Sequence, residues 1–268
     1  YVTADGQLDL DEGAFKDCLD KWGPDHFARA VSRLIVADDL PFPYKKHFMT
    51  ETGSLTDKFG NLRAYKGQVQ RRRPKIPLSK VQSRMGRFWE RYSDRYRGWY
   101  TVIGDSTSYE TIDILSDYFL EGPRVRSMGY GERDSPMDHW RQPRLHPRWL
   151  PTLFQDPEQR VLTCRTLREW LYARGTPRIV EARQGRPSLY MTMFQLLKPK
   201  RVLDVASAWG DRLLAAIAYD LDMYVGVDAN PDLEPGYEAI LEQFVAPEQR
   251  HRFPMLISPS EKVALPEG

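Results

Sequence analysis

The chain has 268 residues, of which 41% are hydrophobic, 12% aromatic and 28% charged, and its formal net charge is +2. This composition excludes wholesale disorder and collagen-like repetition, and it suffices for one large or two modest globular domains. No apolar run approaches the ~20 residues that cross a bilayer, so we expect a soluble protein without membrane contact.

The cysteines and histidines form no metal-ligand pattern. Cys18 and Cys164 are far apart, and no Cys-x-x-Cys or His-Glu-x-x-His occurs. We therefore predict no metal site, no disulfide and a reducing intracellular compartment. Because the chain begins at Tyr1 without an initiator Met, a targeting peptide could have been removed, which leaves an organellar matrix open. His139 and His146 are expected to be ordinary surface or loop residues.

Residues 1–60 carry a net charge of −4 and are predicted to form a helical N-terminal segment. Apolar residues recur at helical spacing, and Gly23-Pro24 marks a break between two helical stretches. The apolar residues of this pattern are Phe15, Cys18, Leu19 and Trp22 before the break, and Phe27, Val31, Leu34 and Ile35 after it.

Residues 61–100 have a net charge of +10 and are predicted to form a basic arm followed by a helix. The arm contains Arg71, Arg72, Arg73 and Lys75, and it is expected to be extended because Pro74 disfavours helix at the residue before it. After Pro77 an aromatic face at helical spacing lies beside a stripe of cations. That stripe consists of Lys80, Arg84, Arg87, Arg91 and Arg95.

Two interpretations of this basic segment stay open. The cations could be a solvated helix face that covers the edge of a core. Alternatively they bind the phosphates of RNA or DNA, because two acidic residues among twelve basic ones leave most cations without an ion-pair partner in the segment. Such contacts would give affinity and register but no base readout.

Residues 101–197 are predicted to be an irregular and helical packing region that is rich in proline and aromatic residues. Two helices are expected there. The first spans residues 109–119, and the second passes through Leu162, Leu167, Trp170 and Leu171 and ends near residue 175.

Residues 198–268 are predicted to be an α/β unit, and residues 201–268 within it carry a net charge of −7. Apolar β-rich runs at 201–205, 223–228 and 254–258 alternate with helical patterns at 211–221 and from Pro231 onward. The predicted inward positions of the first helix are 213, 214, 217, 218 and 221. The second helix is expected to bury Tyr237, Ile240, Leu241 and Phe244. Strands that alternate with helices indicate a parallel sheet of Rossmann-like type.

The ends of the first two strands predict a ligand site. Small residues in the turn at 206–210 allow a ligand to approach the backbone, and a helix begins beside it. Asp228 ends the second strand and can accept hydrogen bonds from a ribose diol. An adenosine-bearing ligand is therefore expected. A dinucleotide fits less well, because the turn is not Gly-x-Gly-x-x-Gly, and an α/β unit that binds nothing stays an alternative.

Four runs in this unit are more specific. They are Val202-Leu203-Asp204, Trp209-Gly210-Asp211-Arg212-Leu213, Tyr224-Val225-Gly226-Val227-Asp228-Ala229-Asn230-Pro231 and Leu233…Gly236-Tyr237. Together they resemble class I S-adenosylmethionine-dependent methyltransferases, most closely a group found in large DNA viruses and phages. The resemblance covers roughly residues 199–266. The stretch 112–119 with Glu121 and Arg124 is similar to an upstream segment of that group, though less specifically.

The resemblance implies the first half of a class I methyltransferase sheet and S-adenosylmethionine as cofactor. Asp204 and the turn Ala206, Ser207, Ala208, Trp209 and Gly210 would face the methionine portion. Asp228 would hold the ribose hydroxyls, with Ala229 and Asn230 beside the adenine. Ser260 and Glu261, after the third strand, match the polar loop that meets the adenine amine.

Two features depart from the family. Ala208 stands where the group has glycine, and its methyl is expected to limit the approach of the cofactor. The family's substrate-facing motif at the end of a fourth strand has no clean copy among the 268 residues, so the catalytic residues are unknown. The first strand is also expected to be an open edge, which further chain or a protein partner would cover.

Two functions therefore stay in competition. One is an active methyltransferase on RNA or DNA that holds phosphates with the basic segment. The other is an inactive methyltransferase-like module that serves as an RNA-binding scaffold or assembly factor in a ribonucleoprotein complex such as a ribosome precursor. The family's cofactor residues favour the enzyme, whereas Ala208 and the missing motif favour the scaffold.

Overall fold

The computed structural model describes residues 1–4, 6–72, 99–103, 109–127, 134–172, 179 and 182–263. These residues form an α/β protein with mostly helices and a small parallel sheet. The α-helices are α1 (Glu12–Ala37), α2 (Leu55–Ala64), α3 (Leu115–Arg126), α4 (Pro136–Arg141), α5 (Leu150–Gln155), α6 (Cys164–Tyr172), α7 (Pro187–Leu197), α8 (Asp211–Tyr219) and α9 (Glu234–Phe244). The strands are β1 (Gln68–Arg72), β2 (Trp99–Ile103), β3 (Arg201–Asp204), β4 (Met223–Asp228) and β5 (Met255–Ile257).

Shorter helical segments join these elements. A π-helical turn, Tyr109–Asp113, precedes α3. The 3₁₀ segments are Lys45–His47, Met49–Thr52, Pro143–Arg148, Pro231–Leu233 and Pro247–Arg252.

The C-terminal unit has the predicted order of strands and helices. Its sheet is parallel in the order β3-β4-β5, with Arg201 opposite Met223 and Gly226 opposite Met255. Helix α8 connects β3 to β4, and α9 lies between β4 and β5, which agrees with a partial Rossmann-like layout. Within the described residues β3 pairs on one side only, and Leu203 is 50% exposed. The open edge expected for this strand is therefore present in the described part of the chain.

A hydrophobic core lies beneath this sheet, and the helical patterns locate it correctly. All five predicted inward positions are buried, namely Leu213, Leu214, Ile217 and Ala218 of α8 and Leu221 just after its end. In α9, Tyr237 and Ile240 are buried, and Leu241 and Phe244 pack against the same cluster. Met191 and Phe194 of α7 complete it from the other side.

A second core joins α1 to the helices of residues 134–172. Helix α1 bends at Gly23, whose φ of 68° and ψ of 164° are non-helical, and its second half begins at Pro24. The predicted break is thus confirmed, because glycine tolerates positive φ and proline suits the first turn of a helix. The rings of Phe15, Phe27 and Phe154 pack in tilted pairs within this core, with ring centroids 4.6–6.0 Å apart.

The helices of residues 101–197 differ in part from the prediction. The expected helix at 109–119 is divided into a π-helical turn and α3, which continues to Arg126. Helix α3 passes through Pro123 because buried ion pairs of Asp117, Glu121 and Arg124 hold it in place, and these tertiary contacts outweigh the local signal to stop. The expected helix is confirmed at Leu167, Trp170 and Leu171, which belong to α6. Its predicted start is wrong, because Leu162 precedes the helix and forms a β-bridge with Leu10.

The prediction of surface positions for His139 and His146 is wrong. His139 lies on α4 with 3% of its surface exposed, and His146 lies in Pro143–Arg148 with 1% exposed. Burial lowers the pKa of both imidazoles, so they are buried in the neutral form. The proline-rich region around them is packed against α1, and sequence pattern alone did not indicate that contact.

Both cysteines are buried, and neither forms a disulfide. Among the described residues, no helix has both the length and the apolar character needed to span a bilayer.

Candidate cofactor site

The turn at 206–210 lies against the carboxyl end of the neighbouring strand. Because β3 and β4 are parallel, Asp204 and Asp228 end at the same edge of the sheet. The backbone N–H of Ser207 donates to the carbonyl of Val227 at 2.9 Å, which draws the turn over the end of β4. Ser207 itself is buried, whereas Ala206 is exposed. The turn and Asp228 thus form one structural unit.

Asp228 holds this unit together with both carboxylate oxygens. Oδ2 accepts the N–H of Ala208 at 2.7 Å, and Oδ1 accepts the N–H of Asn230 at 3.0 Å. The side chain of Asn230 accepts from Asp232 N–H at 3.0 Å and begins the Pro231–Leu233 segment. A carboxylate has about four acceptor positions, so the half-buried Asp228 keeps capacity for a ligand's hydroxyl groups.

Two residues of the turn have positive φ. Ala208 has φ of 49° and Gly210 has φ of 77°. A Cβ at position 210 would lie 2.8 Å from Leu120 Cδ1 and 2.9 Å from Ile240 Cδ1, so the core beneath the turn requires glycine there. Ala208 occupies the left-handed region although it carries a methyl group. The hydroxyl of the buried Tyr237 donates to the Ala208 carbonyl and supports this conformation.

Asp204 is already engaged by neighbouring side chains. Arg212 forms an ion pair with Asp204 Oδ2, and Tyr224 donates its hydroxyl to the same oxygen at 2.6 Å. Arg212 also donates to the carbonyl of Ala206, and its guanidinium lies 5.3 Å from the ring centre of Tyr190. These contacts raise the pKa of Arg212 further above its ordinary value. A ligand's ammonium group at Asp204 would therefore compete with Arg212.

The remaining predicted site residues lie at the rim. Trp209 donates its indole N–H to the carbonyl of Arg183 at 3.1 Å and is partly buried. Ala229 is exposed beside Asp228. Ser260 and Glu261 are exposed in the turn after β5, on the same edge of the sheet. The structure thus brings together positions 204, 206–210, 228 and 230, and leaves 260 and 261 without a described contact to them.

A buried acidic face on α3 borders the site and was missed from the sequence. Asp211 begins α8 and accepts from Ser116 Oγ at 2.6 Å and from the N–H of Gly185 at 3.1 Å. Burial, with a smaller contribution from the nearby Asp117, raises the pKa of its carboxyl to about 7. Asp113 accepts from the N–H and the hydroxyl of Ser188.

The same face joins the site to the N-terminal half of the chain. Asp117 forms ion pairs with Arg124 and with Lys45, the latter at 2.5 Å. Glu121 lies 2.5 Å from Arg168 and accepts the N–H of Lys45 at 2.7 Å. Burial raises the pKa of Glu121 to about 7 in spite of these cations. The acids at 113, 117 and 121 are four residues apart, which places them on one face of a helix, and this spacing is the feature of the sequence that could have predicted the acidic face. Among the described residues, no group of three or more His, Cys, Asp or Glu is arranged to hold a metal ion.

The predicted nucleic-acid residues are described only in part. Arg71 and Arg72 belong to β1, where they are opposite Tyr100 and Trp99 of the antiparallel β2. The other residues of this prediction lie outside the described residues, namely Arg73, Lys75, Lys80, Arg84, Arg87, Arg91 and Arg95.

The start of the basic segment is attached to a helix that borders the site. Gln195 of α7 accepts the N–H of Gly67 at 2.9 Å and donates to the carbonyl of Tyr65 at 2.6 Å. Five residues earlier on α7, Tyr190 accepts a hydrogen bond from Arg212 at 3.1 Å. Gly67 in the basic segment and Arg212, which also donates to the carbonyl of Ala206, thus contact the same helix.

Comparison of the chain with models of protein families, with curated proteins and with solved structures found no significant match.

Proposed function

We propose that this chain is an S-adenosylmethionine-dependent methyltransferase of the class I fold that acts on RNA or DNA. The observation that carries the proposal is the bond between Asp228 and the turn at 206–210. A carboxylate at the end of the second parallel strand is tied to the backbone of the first turn, and it keeps acceptor positions for the two hydroxyls of a ribose.

The residues around this bond fit the proposed cofactor. Asp228 would accept the ribose hydroxyls, and Ala229 and Asn230 would border the adenine. The opposed charges of Asp204 and Arg212 match the ammonium and carboxylate of the methionine portion. The cofactor supplies the methyl group, and these residues bind and orient it.

The nucleic-acid part of the proposal depends on charge. The segment at 61–100 has a net charge of +10. Gly67, near its start, is hydrogen-bonded to α7, and α7 also contacts Arg212. Phosphates bound at the start of this segment, around Gly67, would be held beside α7, the helix that also contacts Arg212. Neutralising them would release counterions and make binding strongly dependent on salt.

One observation favours the second candidate, an RNA-binding scaffold without turnover. Ala208 carries a methyl group at a left-handed position of the turn, which limits the approach of a cofactor. The carboxylate of Asp204 is also already paired with Arg212 and is not free to bind a ligand. A partner protein in such an assembly would cover the open edge of β3.

Calorimetric titration of S-adenosylmethionine tests the cofactor site. We expect saturable binding to the wild type and a 10- to 100-fold weaker affinity for Asp228→Asn, because one charged hydrogen-bond acceptor is lost. Asp222→Asn is the matched control, since Asp222 is exposed and directly precedes β4, at the end opposite to Asp228. If the protein releases no heat with millimolar S-adenosylmethionine but still binds RNA, the enzyme proposal is rejected and the scaffold proposal takes its place.

A further inference from the structure

A serine and a histidine from distant parts of the chain form a hydrogen-bonded pair beside a cavity that the proposed function does not use. Ser32 of α1 and His146 of Pro143–Arg148 are 114 residues apart, and Ser32 Oγ lies 2.6 Å from His146 Nδ1. Serines inside helices commonly bond to the carbonyl four residues earlier in their own helix. Ser32 is bonded instead to a buried imidazole.

The second ring nitrogen of His146 fixes the direction of this hydrogen bond. Nε2 lies 2.6 Å from the backbone carbonyl of Trp140, and a carbonyl only accepts, so Nε2 carries the proton. Burial lowers the pKa of His146, which keeps the ring neutral and leaves Nδ1 as the acceptor. The hydroxyl of Ser32 therefore donates to Nδ1. The indole of Trp149 packs edge-on against the ring at 5.9 Å and holds its plane.

This arrangement has the three parts of an activated nucleophile. The hydroxyl bonds to a base, and the base is oriented by a third group, here a main-chain carbonyl. Ser32 is half-buried, and both Ser32 and His146 line a cavity of about 300 Å³. Pro143, Pro147 and Pro151 form a rigid wall of the cavity, and its other lining residues include Ala28, Leu150, Asp25 and Arg29.

Arg29 supplies a cation at the same cavity. It lies three residues before Ser32 on α1, which is one helical turn, and it pairs with no acid among the described residues. A guanidinium in this position can hydrogen-bond to an oxygen that gains negative charge.

We propose that Ser32 and His146 form a nucleophilic pair that hydrolyses small carboxylic esters, independently of the cofactor site. Ser32 Oγ attacks the ester carbonyl carbon while its proton passes to His146 Nδ1. The bond to the alcohol oxygen then breaks, and the alcohol leaves with that proton. Water attacks the acyl-serine, its proton passes through His146 to Ser32 Oγ, and the carboxylic acid leaves. The net reaction consumes one ester and one water.

A fluorophosphonate probe followed by peptide mapping tests the pair. The Ser32 oxygen would displace fluoride at phosphorus, and His146 would take the proton. We expect an adduct on Ser32 in the folded wild type, formed at least tenfold faster than any adduct on Ser127. Ser127 is the matched control, because it is also partly buried but donates to the carbonyl of Pro123 rather than to a histidine. Ser32→Ala should abolish the adduct and the hydrolysis of p-nitrophenyl acetate above background, and Ser127→Ala should leave both unchanged.

A second variant separates the role of the base. His146→Gln should slow formation of the Ser32 adduct at least tenfold in protein that retains the wild-type circular dichroism. If that variant does not fold, Ser32→Cys gives the same information, since a thiol beside His146 should react with iodoacetamide faster than the buried Cys18. Absence of an adduct on Ser32 in the folded wild type would overturn the proposal. The proposal would also be overturned if His146→Gln formed the Ser32 adduct at the wild-type rate, or if the thiol of Ser32→Cys reacted no faster than Cys18.

Discussion

Asp228 accepts a hydrogen bond from the backbone N–H of Ala208 across 2.7 Å, which ties the end of β4 to the turn that follows β3. The two residues are 20 positions apart, and their contact follows from parallel pairing of the strands. This bond sets the shape of the proposed cofactor site.

Replacing Ala208 by glycine is expected to stabilise the protein. The left-handed conformation costs an alanine roughly 1–2 kcal/mol. Glycine removes that cost but adds about 0.4–1 kcal/mol of chain entropy to the unfolded state. The free energy of unfolding should therefore rise by about 0.5–1 kcal/mol in urea titrations. Ala215→Gly, inside α8, is the control and should lose at least about 1 kcal/mol. A destabilised Ala208→Gly protein would contradict the assigned conformation.

Replacing Gly210 by alanine is expected to destabilise the fold by about 2 kcal/mol or more. The new methyl group would have positive φ and would meet the side chains of Leu120 and Ile240. Gly60→Ala is the matched substitution, since Gly60 is exposed within α2 and a Cβ there meets nothing within 4 Å. Gly60→Ala should raise the free energy of unfolding by about 1 kcal/mol. Equal effects of the two substitutions in thermal melts would argue against the packing beneath the turn.

The carboxyl of Asp211 should make stability fall as pH rises. Its pKa is about 7 in the folded state against an ordinary value of 3.8, so the folded state favours the protonated form. This contribution is fully present below about pH 4 and is lost progressively as pH approaches 7. Asp211→Asn mimics the protonated acid. Its free energy of unfolding relative to the wild type should increase from pH 4 to pH 7 and then level off. A difference that does not change with pH would exclude this titration.

Two aspartates paired with arginines of α3 should differ sharply in their effects. Asp117 is buried between Arg124 and Lys45, so Asp117→Asn removes a buried negative charge that both cations contact and should cost about 3–5 kcal/mol. Asp232 faces Arg126 at 3.7 Å in an exposed pair, and Asp232→Asn should cost about 0–1 kcal/mol. Urea denaturation of both variants measures the contrast. Near-equal losses would show that the acidic face is not buried as described.

The basic segment should dominate nucleic-acid binding. Changing Arg84, Arg87 and Arg91 together to alanine removes three phosphate partners and should reduce the slope of log affinity against log salt by about 2–3. The charge-matched control changes Arg144, Arg160 and Arg165, which are exposed and paired with acids. Fluorescence anisotropy at several salt concentrations gives the slopes. An unchanged slope for the first variant would show that the stripe is a solvated helix face that does not bind phosphates.

The sequence predicted those parts of the fold that depend on local pattern. The inward face of α8 follows from helical periodicity, and the break of α1 follows from Gly23-Pro24. The placement of Asp204 and Asp228 at one edge follows from the order of strands and helices. These features needed no knowledge of distant contacts.

The contacts that the sequence did not predict are long-range. Ser116 bonds to Asp211 across 95 residues, and Ser32 bonds to His146 across 114 residues. The partners of Asp204 were also missed, because Arg212 and Tyr224 reach it only once α8 and β4 are packed. Periodicity tells which face of a helix is buried but not which side chain lies opposite.

Titration of the ¹⁵N-labelled protein with S-adenosylmethionine tests the central claim most directly. The amide protons of Ala208 and Asn230 both donate to Asp228 and report on any ligand that bonds to that carboxylate. The account predicts saturable shifts of both amide signals in the wild type and their loss in Asp228→Asn. Unmoved signals at millimolar concentration would show that no nucleoside is bound at the end of β4.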